Sequence, residues 1–174
     1  MLDKQSTLQK HVVHLYVATG SRWVSGHFTT NHRRLIYCLN REHRDMLLIE
    51  DAVVGNRPGV RDSSAELRVA YVSTSRILFA VPVEKARDSS PPPDPLLWVE
   101  KRPRPLVLGV GRYEIAGDVF LLPEADLTPS FVLTGDRFIA VGDALIKSLD
   151  DPSLVQEQAV VTVNREHISY ILRT

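Results

Sequence analysis

Cysteine is almost missing from this chain: Cys38 is the only one in 174 residues. An internal disulfide is therefore excluded, and so is a metal site built on paired cysteines. Cys38 lies in the apolar run Leu35-Ile36-Tyr37-Cys38-Leu39, which predicts a buried core thiol rather than a reactive one. Long hydrophobic runs are lacking too, and none approaches the roughly 20 residues of a membrane-crossing helix. The opening MLDKQSTLQKHVV has no apolar signal-peptide core, because Asp3, Gln5, Ser6 and Gln9 interrupt it, so a cytoplasmic, non-membrane protein is expected. There is no net charge: 21 Lys+Arg balance 21 Asp+Glu, which removes any global attraction to a polyanion. Catalytic motifs are also wanting. No Gly-x-Ser-x-Gly elbow occurs, and Gly109-Val110-Gly111 has no third glycine and leads into strand rather than helix. The expectation is a non-enzymatic protein with no catalytic residue, cofactor or metal.

What is present is an ordinary globular composition, 44% hydrophobic and 24% charged, enough to bury a core. It is also arranged as a repeat. Gly20-Ser21-Arg22-Trp23-Val24-Ser25-Gly26 matches Gly111-Arg112-Tyr113-Glu114-Ile115-Ala116-Gly117, with an aromatic residue three places before a glycine in the first and four places before it in the second. Met46-Leu47-Leu48-Ile49-Glu50-Asp51-Ala52 matches Phe138-Ile139-Ala140-Val141-Gly142-Asp143-Ala144, and 69–81 matches 160–172. The offset stays at 91 or 92 throughout, as a tandem duplication requires. Charge divides with the repeat. Residues 1–84 hold 11 basic against 8 acidic side chains, a balance of +3, and residues 104–174 hold 6 against 10, a balance of −4.

Each repeat reads as strand, with β-branched and aromatic runs such as 11–17 and 158–163 separated by turn residues. Gly26 and Gly117 interrupt strand patterns and predict sharp bends or bulges. The reading is therefore all-β: two tandem small bent-sheet barrels with little helix, 1–84 and 104–174, joined by a proline-rich linker over 85–103 that contains Pro91-Pro92-Pro93. Single helical turns are expected only at 126–133 and 153–156.

The order of features, a glycine-bent strand, a strand ending Glu50-Asp51-Ala52, a variable loop and two strands around a tight turn, resembles the Sm-like fold of the SH3-type small barrels. Leu47-Leu48-Ile49-Glu50-Asp51-Ala52 looks like the end of the first motif of that family, and Val161-Thr162-Val163-Asn164-Arg165-Glu166-His167-Ile168-Ser169-Tyr170-Ile171 looks like the second. The resemblance implies oligomers joined through terminal strands and, for many members, single-stranded RNA binding. Met46 and Phe138 stand where the family carries an RNA-contacting asparagine, and Ser73-Thr74 and Asn164-Arg165 where it carries Arg-Gly. An apolar side chain cannot read a base edge, so the usual RNA pocket is expected to be missing.

The leading expectation is an assembly or adaptor protein acting through protein–protein contacts and homo-oligomerisation. Its partner surface is placed on the terminal strands, at Val69, Tyr71, Ile77 and Phe79 in the first repeat and Val161, Val163, Ile168 and Tyr170 in the second. A first alternative is nucleic-acid binding through Arg33, Arg34, Arg41 and Arg44, with Tyr37 and Trp23 available for stacking. A second is a regulatory module that senses a small ligand between the repeats. Histidines His11, His14, His27, His32 and His43 form no recognisable ligand set. Asp51 and Asp143 recur at equivalent places and are read as turn caps at strand ends rather than as acids in catalysis.

Overall fold

Side-chain alternation organises the strands. In β3 (Met46–Gly55), Leu47, Ile49 and Ala52 are buried, whereas Met46 and Leu48 face outward, as a pleated strand with one core face requires. The computed structural model describes residues 9–17, 22–30, 35–41, 45–60, 69–83, 101–123 and 135–173. The chain divides into two units, Met1–Glu84 and Lys85–Thr174. Most of the proline-rich stretch, residues 85–100, lies outside the described residues, as does the helical turn expected at 126–133.

The first unit contains β1 (Gln9–Val17), β2 (Arg22–Thr30), α1 (Leu35–Arg41), β3, β4 (Val69–Ser73) and β5 (Ile77–Pro82). The second contains β6 (Arg102–Val110), β7 (Tyr113–Leu121), β8 (Phe138–Ser148), β9 (Val155–Asn164) and β10 (Ile168–Arg173). Within the first unit the strand order is β5-β1-β2-β3-β4, and within the second β10-β6-β7-β8-β9. Every pairing in these two orders is antiparallel.

The two sheets repeat each other down to single residues. Between β2 and β3 the register steps from Ser25↔Val53 to His27↔Glu50, so Gly26 alone faces Asp51 and Ala52. Between β7 and β8 it steps from Ala116↔Leu145 to Asp118↔Gly142, so Gly117 alone faces Asp143 and Ala144. Asp51 and Asp143 are the only non-glycine residues with positive φ among those described, at 48° and 44°. These two-against-one steps are β-bulges with a left-handed residue, which raise the local twist. The aspartates thus sit at bulges inside long strands, not at strand ends. Glycine is required opposite them: a Cβ on Gly26 would lie 2.5 Å from the Glu50 carbonyl oxygen, and one on Gly117 would lie 2.6 Å from that of Gly142.

The tight turns recur as well. Single 3₁₀ turns, Thr74–Arg76 and Arg165–His167, join β4 to β5 and β9 to β10. The Thr74 N–H donates to the Asp45 carbonyl at 3.0 Å, and the Arg165 N–H donates to the Arg137 carbonyl at 2.9 Å. Asn164, fully buried, caps the second turn by accepting from the Glu166 N–H at 3.1 Å.

The barrel, and with it the Sm-like or SH3-type resemblance, is not upheld. A barrel closes only when its rim strands pair. Among the described residues no ladder joins β4 to β5, or β9 to β10; each 3₁₀ turn instead sends its two strands to opposite ends of the unit's order. The bulges bend the strands, but bending alone does not close a sheet. The fold is mainly β with little helix, in two open five-stranded arrangements.

Two local expectations change. The run 35–41 is helix α1, which buries Leu35, Cys38 and Leu39 on one face and carries Arg41 in its last turn. The Cys38 thiol donates to buried Thr30 Oγ1 at 3.0 Å. The turn expected as helix at 153–156 is instead the entry to β9. Asp151 Oδ1 accepts from the Ser153 N–H at 3.0 Å and from its hydroxyl at 2.5 Å, and the chain then extends from Val155.

The cores are built from bulky side chains. Trp23 and Phe79 meet edge to face at 5.4 Å in the first unit, with Phe28, Leu47, Ile49 and Ile77. Leu106, Leu108, Ile115, Phe138, Val141 and Ile146 fill the second. Truncating one such aliphatic residue to alanine typically costs ~2–5 kcal/mol.

Candidate assembly interface

β4 ends the first unit's order and β10 the second's, and each pairs on one side only among the described residues: β4 with β3, and β10 with β6. The sequence explains why both are strands. Val69-Ala70-Tyr71-Val72-Ser73 and Ile168-Ser169-Tyr170-Ile171-Leu172-Arg173 are dominated by β-branched, aromatic and leucine side chains. An edge of this kind presents a row of backbone N–H and C=O groups to whatever approaches it.

On β4, Val72 turns inward, while Tyr71 is 71% exposed and Val69 is 46% exposed. The register sets Leu48 beside Tyr71 and Glu50 beside Val69. Met46, Leu48, Val69 and Tyr71 are all exposed and lie on the outward face of β3 and β4.

β10 is held by a specific anchor. Tyr170 pairs with Gly109 of β6, and its ring occupies the space that a Cβ on Gly109 would take. Its hydroxyl donates to Glu114 Oε1 at 2.7 Å. That hydrogen bond, with desolvation and the carboxylate's charge, raises the Tyr170 pKa above the ordinary tyrosine value. Beyond the anchor, Ile171 and Leu172 remain exposed on the strand.

The neighbouring stretch of β6 is guarded. β10 covers β6 only from Leu106 to Val110, leaving Arg102-Pro103-Arg104-Pro105 beyond its end. The ladder to β7 continues through both prolines, at Pro103↔Phe120 and Pro105↔Asp118. Their missing N–H groups therefore fall on the other edge, where proline blocks strand addition. β4 and β10 contain neither proline nor lysine.

The sequence-predicted residues divide accordingly. Val69, Tyr71 and Tyr170 are exposed and Ile168 is half-buried, whereas Ile77, Phe79, Val161 and Val163 are each 0% exposed. The exposed Met46 and Leu48 lie outside the terminal strands, 69–81 and 160–172, on which the sequence places the surface, and Ile171 and Leu172 lie within them without being singled out. Their signal was the continuous aliphatic run in each segment, where alternation would have put polar residues on the outer face.

Of the basic cluster, Arg41 is exposed on α1, and Arg33, Arg34 and Arg44 lie outside the described residues. Trp23 is 1% exposed and is not placed to stack on a base. His27 Nδ1 lies 3.2 Å from Asp51 Oδ2 across the first bulge, without hydrogen-bond alignment. His32 and His43 lie outside the described residues, and His11 and His14 are described by backbone alone. Among the described residues no group of three or more His, Cys, Asp and Glu gathers to hold a metal, and no helix is long and apolar enough to cross a membrane.

No family model matches the chain, and neither does a curated protein or a solved structure.

Proposed function

We propose that this chain is a non-enzymatic assembly or adaptor protein that acts through protein–protein contacts and associates with copies of itself. The observation that carries the reading is the pair of apolar edge strands, β4 and β10, each paired on one side only among the described residues, in a chain that places prolines on an adjoining edge. Unprotected edges of this composition add strands from other chains. The exposed face of Met46, Leu48, Val69 and Tyr71 adds apolar surface beside one of them, and burying it stabilises a complex by roughly 25 cal/mol per Å² before association costs.

Sedimentation velocity over a wide range of protein concentration tests the proposal. The expected result is a sedimentation coefficient that rises with concentration towards a defined or growing multimer. A single species at the mass of one chain, unchanged across the range, would overturn it.

A further inference from the structure

We infer, resting on the self-association reading above, that copies join head to tail: the β4 edge of one copy pairs with the β10 edge of the next. The repeat makes each kind of terminal strand twice. β5 is buried from Ile77 to Val81, and β9 is buried over 161–164, whereas in their counterparts residues 169–173 of β10 and Val69 and Tyr71 of β4 are exposed. Phe79 is 0% exposed, and its repeat counterpart Tyr170 is 39% exposed. Among the described residues, each copy thus carries one exposed terminal strand of each kind, and the two are nearly matched in length, at five and six residues.

Unlike edges make a heterologous contact. Each added copy then offers one open edge of each kind, and growth continues until a ring closes or a filament extends. A contact between like edges would instead be two-fold, and a copy would spend one edge on it.

Charge selects between these arrangements. The balances of +3 and −4 belong to residues 1–84 and 104–174 as wholes, while at the edges themselves Glu50 lies beside Val69 on β4, and Arg173 ends β10 next to Arg102 and Arg104 of β6. Head-to-tail pairing sets opposite potentials against each other, while β4 on β4 or β10 on β10 sets like against like. The prolines of β6 add register. With Pro103 and Pro105 closing the edge past Arg173, an incoming strand is confined to β10 itself.

Complementation between two edge-blocked variants tests the inference. Val69→Lys/Tyr71→Lys blocks β4, and Ile171→Lys/Leu172→Lys blocks β10; all four positions are exposed, and lysine on an edge opposes strand addition. By light scattering each variant alone is expected at the mass of one chain, 19.6 kDa, and an equal mixture at twice that mass and no more. If either variant alone still dimerises, or the mixture stays monomeric, head-to-tail pairing is wrong while self-association of the wild-type chain stands. If the wild-type chain is itself monomeric, both fall. Circular dichroism must match the wild type; where a double variant loses its strand signal, Tyr71→Lys and Leu172→Lys replace it in the same scheme.

Discussion

Asp51 and Asp143 hold left-handed backbone, φ 48° and 44°, directly opposite Gly26 and Gly117. Each pair depends on both partners: the aspartate takes a conformation that β-branched residues resist, and the glycine leaves room for the bulge. Gly26→Ala and Gly117→Ala are each expected to destabilise their unit by about 1–3 kcal/mol, because the new methyl meets backbone that cannot step aside. Asp51→Val is expected to cost about 1–2 kcal/mol more than Asp51→Gly, since only the former opposes the left-handed φ. Urea unfolding of the variants measures all of these, and equal stability of the valine and glycine variants would contradict the bulge account. At Tyr170 the prediction concerns pH. Its pKa is raised by the Glu114 hydrogen bond first, then desolvation, then the carboxylate's charge. A raised folded value means that the stabilisation is complete below the unfolded tyrosine value of ~10 and is lost as pH rises through the folded one. In alkaline absorbance titration, with the Tyr170 signal assigned by difference from Tyr170→Phe, Glu114→Gln should bring Tyr170 to lower pH; an unchanged curve would mean that the Tyr170–Glu114 contact does not persist in solution.

The two glycine bends and the repeated Asp-Ala pairs were readable from residues because a bulge leaves a glycine inside an otherwise apolar strand. The helix α1 was not. Leu35-Ile36-Tyr37-Cys38-Leu39 is a short apolar run, and such a run does not distinguish a buried helix turn from a buried strand. Barrel closure was misjudged for a different reason. Closure depends on whether two rim strands meet, a long-range property that no local pattern in β4, β5, β9 or β10 records. The same limit applies to the interface. Ile77 and Tyr170 read alike as terminal-strand residues, yet one is buried and the other exposed. At this scale the guarding role assigned to β6 is testable. In the Ile171→Lys/Leu172→Lys background, Pro103→Thr/Pro105→Thr restores two N–H donors to an exposed strand end. Light scattering is expected to show irregular aggregates in this variant; if it stays as monodisperse as its parent, the prolines are not edge guards.

At the scale of the whole chain, two open sheets, unlike exposed edges and an opposed charge bias all favour the proposed association between copies. The charge bias of +3 and −4 acts over about a Debye length, ~10 Å at 0.1 M salt, so in the proposed assembly it would steer the encounter while the strand edges would supply the contact. The measurement that tests this most directly is the absolute mass of the wild-type chain by light scattering at low and high salt, with co-purifying nucleic acid read from the absorbance ratio. The account predicts a multimer free of nucleic acid whose mass falls as salt rises. A monomer at both salts would contradict it, and a multimer that forms only with bound nucleic acid would transfer the function to the basic residues around Arg41.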